Sequence, residues 1–594
     1  MTRTSGAHVK IITGEDRKGP SGAATPGGPE GSRRDTPAEP GTLTAVRHGD
    51  KTQPALPRPQ HVRPVPLAEL ARAADADLTA AASPRTTDGP GGPSEEGGEA
   101  GGPAATGITH DSRAVRPGDI YAALPGARFH GADFVAQAAF LGAAAVLTDP
   151  AGTERAAATG LPVLTVPDPR AVMGQLAVTV YGDPGAAMLR IGITGTSGKT
   201  TTAYLVDGAL RAAAPDGGQT GLIGTVETRI GDERIKSERT TPEATDLQAL
   251  FAVMREHKVT SLAMEVSSHA LVLGRVDGCV FDIAVYTNLS PEHLDFHPDM
   301  EDYFRAKAQL FTPARSRTGV VNIDDQWGQR LVREAQVPLT TYSAEGHPDA
   351  DWRASGVEAG PMGSTFTAHG PDGVVVRAQA PLPGEFNVAN TLAAIAALAT
   401  AGADPQQAAD GIARVPGVPG RLERVDAGQP YLAVVDYAHK PDAVESVLHA
   451  VRKITDGRVH AVLGCGGDRD PHKRTAMGAA LARLSDTAVL TSDNPRSEDP
   501  LAILAAMLTG ASQVPSHDRG TVLVEEDRAA AIAAAVARAE PGDTVVVAGK
   551  GHEQGQDIAG VIRNFDDRTE LRAAIERAGH ASATPSPGTD QDTA

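Results

Sequence analysis

The chain has 594 residues, 40% hydrophobic and 22% charged, with a formal net charge of −19 from 55 basic and 74 acidic residues. An acidic total excludes a sequence-independent nucleic-acid binder, which needs a basic face. No apolar run approaches the ~18 residues of a membrane span. The two cysteines, Cys279 and Cys465, exclude a disulfide framework and a Cys-rich zinc site, and point to a reduced, cytoplasmic setting.

Residues 1–63 are rich in Gly, Pro, Ser, Thr and charge without hydrophobic period, and read as a disordered tail. The opening Met-Thr-Arg-Thr-Ser-Gly reaches no apolar core, so it does not read as a secretory signal. Order begins near Pro66 with a short helical pattern of Leu67, Leu70 and Ala71. A Gly/Pro/Glu-rich insertion follows at 83–103, and a Ser/Thr/Pro/Asp tail closes the chain at 579–594. Between them, β-rich runs at 143–147, 190–194, 262–266, 282–286, 432–435, 459–463, 487–491 and 544–547 alternate with helical patterns. The helices fall at 199–213, 441–452, 473–484 and 528–540. This alternation predicts an α/β chain of parallel sheets with helices on their faces. Three domains are expected: a smaller N-terminal α/β domain at 64–187, a central P-loop-type parallel-sheet domain at 188–417, and a C-terminal Rossmann-like domain at 418–578. A Pro/Gly-rich hinge at 416–420 divides the last two.

The sharpest motif is Gly195-Thr196-Ser197-Gly198-Lys199-Thr200-Thr201, between the run at 190–194 and the helix that opens at Lys199. Backbone N–H groups of such a turn, together with the helix dipole, gather phosphate oxygens. Lys199 would reach the β- and γ-phosphates and Thr200 would place its hydroxyl on Mg²⁺. The longer Walker pattern is incomplete, because Ile193 stands at its first glycine.

Met264-Glu265-Val266-Ser267-Ser268-His269 and Thr287-Asn288-Leu289-Ser290-Pro291-Glu292-His293-Leu294-Asp295-Phe296-His297 each follow a predicted strand, where open sheets place their ligands. Glu265 is the better Mg²⁺ ligand by chemistry. His269, His293 and His297, taken alone, read as hydrogen-bonded structural residues. Tyr303 and Lys307 lie at i, i+4 on one helix face, and spacing alone makes Lys307 a solvated surface lysine.

With these stretches, Gly384-Glu385-Phe386-Asn387-Val388-Ala389-Asn390 and Pro419-Gly420-Arg421, the sequence resembles the Mur ligase family of ATP-dependent amide-bond synthetases, over roughly residues 67–578. The resemblance implies that Lys307 is carbamylated and helps His293 hold a second Mg²⁺, while Thr200 and Glu265 hold the first. It places Asn390, and less firmly Asn387, toward adenine and Arg421 near the nucleotide. Glu292 departs from the usual aspartate at its position, so a local adjustment is expected.

Gly464-Cys465-Gly466-Gly467-Asp468-Arg469-Asp470, Asp493-Asn494-Pro495-Arg496 and Gly549-Lys550-Gly551-His552-Glu553 look like the diaminopimelate-adding branch. A guanidinium from Arg496 or Arg469 can hold the distal carboxylate that lysine lacks. Asp493 and Glu553 would accept from the ammonium, with Asn494, Pro495 and Gly549 completing the pocket. Ser112, and more weakly His130 and Gly131, match the segment that takes the uridine diphosphate end. Thr240, Thr241, Ser267 and Arg275 match positions that grip a muramoyl dipeptide, although Leu273 stands where the family often has Gln. The implied substrates are ATP, UDP-N-acetylmuramoyl-L-alanyl-D-glutamate and diaminopimelate, handled by a monomer with no nucleic-acid or membrane partner.

Three other readings compete. One is a near relative, such as the lysine-adding branch or folylpolyglutamate synthetase. Another is a P-loop switch or motor. The last is a non-catalytic protein on a ligase scaffold, which loss of Lys199, Glu265 or Lys307 would signal. All three residues are present.

Overall fold

The computed structural model describes residues 9–11, 56–79, 102–214 and 218–583. The expected insertion at 83–103 lies outside the described residues except for its last two positions. The same holds for most of the 1–63 tail and for the chain after Ala583.

Three sheets organise the chain. The first has five strands in the order Asp77–Thr79, Val163–Thr165, Ala145–Thr148, Asp119–Ala123 and Gly107–Thr109, parallel except at the first edge. The second has eleven strands. Its parallel core runs Gln219–Ile223, Val259–Glu265, Leu189–Thr194, Phe281–Tyr286, Ser316–Asn322 and Leu339–Ser343. Antiparallel hairpins extend both edges, Glu227–Ile230 with Glu233–Lys236 on one side and Trp352–Gly360, Gly363–His369 and Val375–Ala380 on the other. The third sheet is parallel through Thr521–Val524, Thr487–Ser492, Val459–Cys465, Thr544–Ala548 and Leu432–Asp436.

The near-continuous apolar runs are explained by burial on both faces. All seven residues of Val459–Cys465 are buried. Ala461 and Leu463 enter one core with the helices Pro441–Lys453 and Lys473–Leu484, and Val462 enters the other with Arg528–Val536. That is the period-2 alternation of a strand covered by helices on both sides. The central strand Leu189–Thr194 behaves likewise. Ile191 and Ile193 face the helices Lys199–Ala213 and Phe386–Thr400, while Met264, Ala284 and Tyr286 of its neighbours face a second core.

Two expectations about the tails are corrected. Residues 56–63 are placed rather than disordered. Arg58 donates to Tyr181 Oη at 2.9 Å, and the Gln60 and His61 amides donate to Glu256 at 2.8–3.0 Å, so charge-assisted hydrogen bonds hold this segment. Within the same tail, Val9–Ile11 adds a parallel strand beside Thr521–Val524. The last helix, Asp567–Ala583, runs past 578. Among the described residues no helix is long and apolar enough to cross a membrane.

Arg528 and Asp567 form a fully buried bidentate pair, with Nε–Oδ1 and Nη2–Oδ2 both 2.7 Å, that ties the last helix to the third sheet. Removing one partner strands a buried charge. Asp567→Ala should therefore destabilise the C-terminal domain by about 3–5 kcal/mol in denaturant unfolding. A loss below about 1 kcal/mol would show that water solvates Arg528 in the variant.

Candidate active site

Strand register assembles the site. Leu189–Thr194 lies between Val259–Glu265 and Phe281–Tyr286, with Ile193 opposite Glu265 and Thr194 opposite Tyr286. The three strands are parallel, so the phosphate loop and the two acidic/histidine loops emerge at one carboxyl edge.

The phosphate loop requires its glycines. Gly195 has φ +145°, and a Cβ there would lie 1.9 Å from Thr287 Oγ1. Gly198 has φ +88°, and a Cβ there would lie 2.3 Å from Asn390 Oδ1. The loop is braced from behind, since the Thr196 amide donates to the Asn288 carbonyl and the Ser197 amide to Asn288 Oδ1, both at 2.9 Å. Lys199 Nζ folds back onto the carbonyls of Gly195 (2.8 Å) and Thr196 (2.9 Å).

Lys307 is buried, contrary to the reading from spacing alone. Its Nζ donates to the same Gly195 carbonyl at 2.9 Å and lies 4.6 Å from the centre of the Tyr303 ring. The helix Met300–Ala308 turns its Tyr303/Lys307 face inward, because Tyr303 and Phe304 belong to the core. Burial first, and the Lys199 charge second, push the Lys307 amine well below the usual lysine range. Burial also lowers Lys199, opposed by Glu292 and Glu265.

Thr200 Oγ1 donates to Glu265 Oε2 at 3.0 Å, and the Thr225 amide donates to Glu265 Oε1 at 2.7 Å. Arg421 Nη2 reaches Thr200 Oγ1 at 3.2 Å, and its guanidinium packs 4.6 Å from the Tyr437 ring centre. Asn390 donates to Asn387 Oδ1 at 2.9 Å. His293, at φ +57°, sets Nε2 3.1 Å from Glu292 Oε1, and burial pushes its imidazole down to about 4. The structural reading holds for His297, which bridges Asp302 Oδ2 (2.7 Å) and Ser268 Oγ (3.0 Å).

Most of these groups line a cavity of about 620 Å³, while Gly195, His297, Tyr303 and Lys307 lie behind its wall. Thr196, Ser197, Gly198, Lys199, Thr200, Thr201, Glu265, His293, Asn390 and Arg421 all border it, as do Thr240 and Ser267. Its far wall comes from the third sheet: Asp436, Tyr437, His439 and Lys440, after the strand Leu432–Asp436. Sequence reading singled out none of these four. The only available signal was a strand end followed by Asp-Tyr-Ala-His-Lys. Lys440 pairs with Glu292 across the cleft.

Ser112 lines a second cavity, of about 1060 Å³, with Arg113, Arg116, Gln137 and Arg239, and donates to Gln137 Oε1 at 2.9 Å. Gly131 borders it, whereas His130 caps the next helical turn and pairs with Asp149. Thr241 holds the Glu265 carbonyl at 2.9 Å. Arg275 binds Glu243 at 2.8 Å and borders neither cavity.

A third cavity, of about 590 Å³, is lined by Asn494, Arg496, His552, Glu553 and Asp557. Two expectations change here. Arg469 is exposed and borders none of the three cavities, because its loop turns outward after Gly467. Asp493 and Glu553 are already engaged. The fully buried Lys550 donates to Asp493 Oδ1 (3.2 Å), Asn494 Oδ1 (3.0 Å) and Glu553 Oε2 (3.1 Å). Pro495 packs its carbonyl against Gly467, and Gly549, at φ +113°, donates to the Asp436 carbonyl. Thr225 borders the first and third cavities and Ser237 the second and third, so the three meet around the hairpin Glu227–Ile230/Glu233–Lys236.

A phosphate loop at the carboxyl edge of one parallel sheet, facing the carboxyl edge of a second across a cavity, is the arrangement of a nucleotide-dependent ligase. Models of the Mur ligase family catalytic domain, the Mur ligase middle domain and the Mur ligase glutamate ligase domain match residues 104–181, 193–398 and 420–551. The chain belongs to the Mur ligase family of ATP-dependent, amide-bond-forming ligases. It is 72% identical over 526 residues to the UDP-N-acetylmuramoyl-L-alanyl-D-glutamate–2,6-diaminopimelate ligase of Streptomyces avermitilis, covering 89% of this chain and 99% of that one. The Corynebacterium glutamicum protein of the same name is 49% identical over 481 residues, covering 80% and 92%. A solved diaminopimelate ligase structure at 34% identity superposes with a TM-score of 0.60, covering 80% of this chain and 96% of that one.

Glu292 is held down to about 2. Burial raises it, but Lys440, Lys199 and His293 outweigh that. Its folded value is depressed, so its stabilising contribution is complete above about pH 4.5 and is lost as pH falls toward 2. Glu292→Gln should lower the melting temperature near neutral pH, with the gap to wild type closing through that acid window. A gap independent of pH would refute the ion-pair assignment.

Proposed function

We propose that this chain adds diaminopimelate to the D-glutamate side-chain carboxylate of UDP-N-acetylmuramoyl-L-alanyl-D-glutamate, with ATP as co-substrate, in peptidoglycan precursor synthesis. One structural observation carries the reading: the phosphate-loop cavity and the Asn494/Arg496/Glu553 cavity share Thr225, so an activated carboxylate and an amine can meet there. The names of the 72% identical relatives agree with it.

A carboxylate does not acylate an amine directly, because its oxygen is a poor leaving group. The carboxylate oxygen therefore attacks the γ-phosphorus, the bond to the β-phosphate bridging oxygen breaks, and ADP leaves. The diaminopimelate amine adds to the acyl carbon, the C–O bond breaks, phosphate departs and the attacking nitrogen sheds a proton. Such transfer depends on alignment and charge stabilisation. Lys199 turns from its carbonyl contacts toward the β- and γ-phosphates, and the amides of Gly198–Thr201 at the helix N-terminus cradle them, those of Thr196 and Ser197 being held by Asn288. Arg421 sits beside Thr200 on the hinge side, and Asn390 with Asn387 borders the adenine end. Ser112 serves the uridine diphosphate end, and Thr240 and Ser267 the dipeptide, with Thr241 and Arg275 supporting them. Arg496 takes the distal carboxylate of diaminopimelate.

The donor set fits Mg²⁺: Thr200 and Glu265 present buried hard oxygens at the cavity wall, and His293 would share a second position with a carbamate on Lys307. When bound, Mg²⁺ would draw charge from the phosphates. The lowered amine of Lys307 is the neutral nucleophile that adds CO₂ to give the carbamate. Closure about the hinge at 416–420 excludes water from the acyl phosphate.

ADP release should require both diaminopimelate and the muramoyl dipeptide, and L-lysine should substitute poorly in an amino-acid panel. Turnover of ATP independent of both acceptors would overturn the function. Lys307→Arg, which cannot be carbamylated, should lower kcat by about 100-fold or more and remove the added mass of one CO₂ from the intact protein. Unchanged kcat would overturn that residue's role.

A further inference from the structure

Lys550 is completely buried, yet it is neither a core apolar residue nor a side chain lining the amine-side cavity. Its three ammonium hydrogens are matched by three acceptors from two loops: Asp493 Oδ1, Asn494 Oδ1 and Glu553 Oε2, at 3.0–3.2 Å. Those acceptors are tied to one another and to the cavity wall. Asn494 Nδ2 donates to Glu553 Oε2 at 3.0 Å, the Asp557 amide donates to Asn494 Oδ1 at 3.0 Å, and the Arg496 amide donates to the Asp557 carbonyl at 3.0 Å. Arg496 itself is held at φ +52°. A buried ammonium with all its donors satisfied fixes its partners' geometry, and removing it leaves two carboxylates uncompensated.

The charge balance is the telling feature. Arg496 and Lys550 supply two positive charges, and Asp493 and Glu553 two negative ones. On the cavity wall itself Arg234 pairs with Glu227, Lys236 and Asp557 add one charge of each sign, and Arg568 turns to two carboxylates behind the wall, Asp566 and Glu423, so neutrality belongs to the four-residue cluster rather than to the whole surround. A neutral cluster carrying both signs complements the zwitterionic far end of diaminopimelate, which bears one ammonium and one carboxylate. Without Lys550 the cluster carries a net negative charge, which complements the singly cationic far end of lysine and repels a carboxylate.

We infer that Lys550 is a specificity-determining positioning residue: its buried ammonium orders Asp493, Asn494 and Glu553 and sets the site's preference for a zwitterionic over a cationic amino-acid end. The inference rests on the proposed amine substrate. The test compares kcat/KM for diaminopimelate and for L-lysine in the full-length wild type, Lys550→Met, Lys550→Arg and Lys550→Met with Asp493→Asn. In Lys550→Met the diaminopimelate-to-lysine ratio should fall at least about tenfold, while KM for ATP and for the muramoyl dipeptide stays unchanged. Lys550→Arg should keep the ratio, and the double variant, which restores neutrality, should recover it in part. A uniform loss for both amines, or an unchanged ratio in a folded Lys550→Met, overturns the inference. If Lys550→Met fails to fold, Asp493→Asn alone decides. It makes the cluster net positive, so the ratio should hold or rise, and a fall toward lysine overturns the idea. A wild type that does not prefer diaminopimelate refutes the proposed function instead.

Discussion

Two lysine amines meet on one carbonyl. Lys199 and Lys307 both donate to Gly195 O, at 2.8 and 2.9 Å, inside a buried wall. Two full ammonium charges that close and that dry repel strongly. The site therefore holds Lys307 in a form ready to be neutral, and spends its other charges on balancing Lys199. Glu265 ends one flanking strand and Glu292 lies on the loop after the other, so register across Val259–Glu265, Leu189–Thr194 and Phe281–Tyr286 delivers both countercharges. A one-residue slip of either strand would turn Glu265 or the Thr287–Asn288 brace to the wrong face.

The same logic of balanced buried charge recurs across the cleft. Glu292 joins the central sheet to Lys440 at the opening of the helix Pro441–Lys453. Arg421 leaves the hinge to reach Thr200. In the third sheet Lys550 offsets Asp493 and Glu553, and behind them Arg528 offsets Asp567. Lys307 and Lys550 thus sit buried at the carboxyl edges of two sheets that face each other. Those are the edges at which open parallel sheets place their ligands.

Much of this was legible in sequence. Apolar runs bounded by Gly-rich turns located the parallel strands, and the helix Lys199–Ala213 begins and ends where its pattern does. The phosphate loop was readable because glycine, lysine and threonine at that spacing have few other uses. The edge hairpins were not, because their alternation is weak and exposed; Trp352–Gly360 carries a run of exposed residues. Nor was Lys307, since i, i+4 spacing says which residues share a face but not whether that face is buried. Arg469 and Arg496 look alike as arginines following strands, and only the path of each loop separates the exposed one from the one at the cavity.

The sequence by itself determined the parallel α/β architecture, the phosphate loop and the family, because those depend on local periodicity and contiguous motifs. The tertiary structure decided which charges are already paired. Asp493 and Glu553 read as free acceptors until Lys550, 57 residues from one and three from the other, is seen between them. Lys440 is unremarkable until the cleft brings it to Glu292. Such pairing is set by where separate loops converge, and the Coulomb energy depends on that distance rather than on separation along the chain.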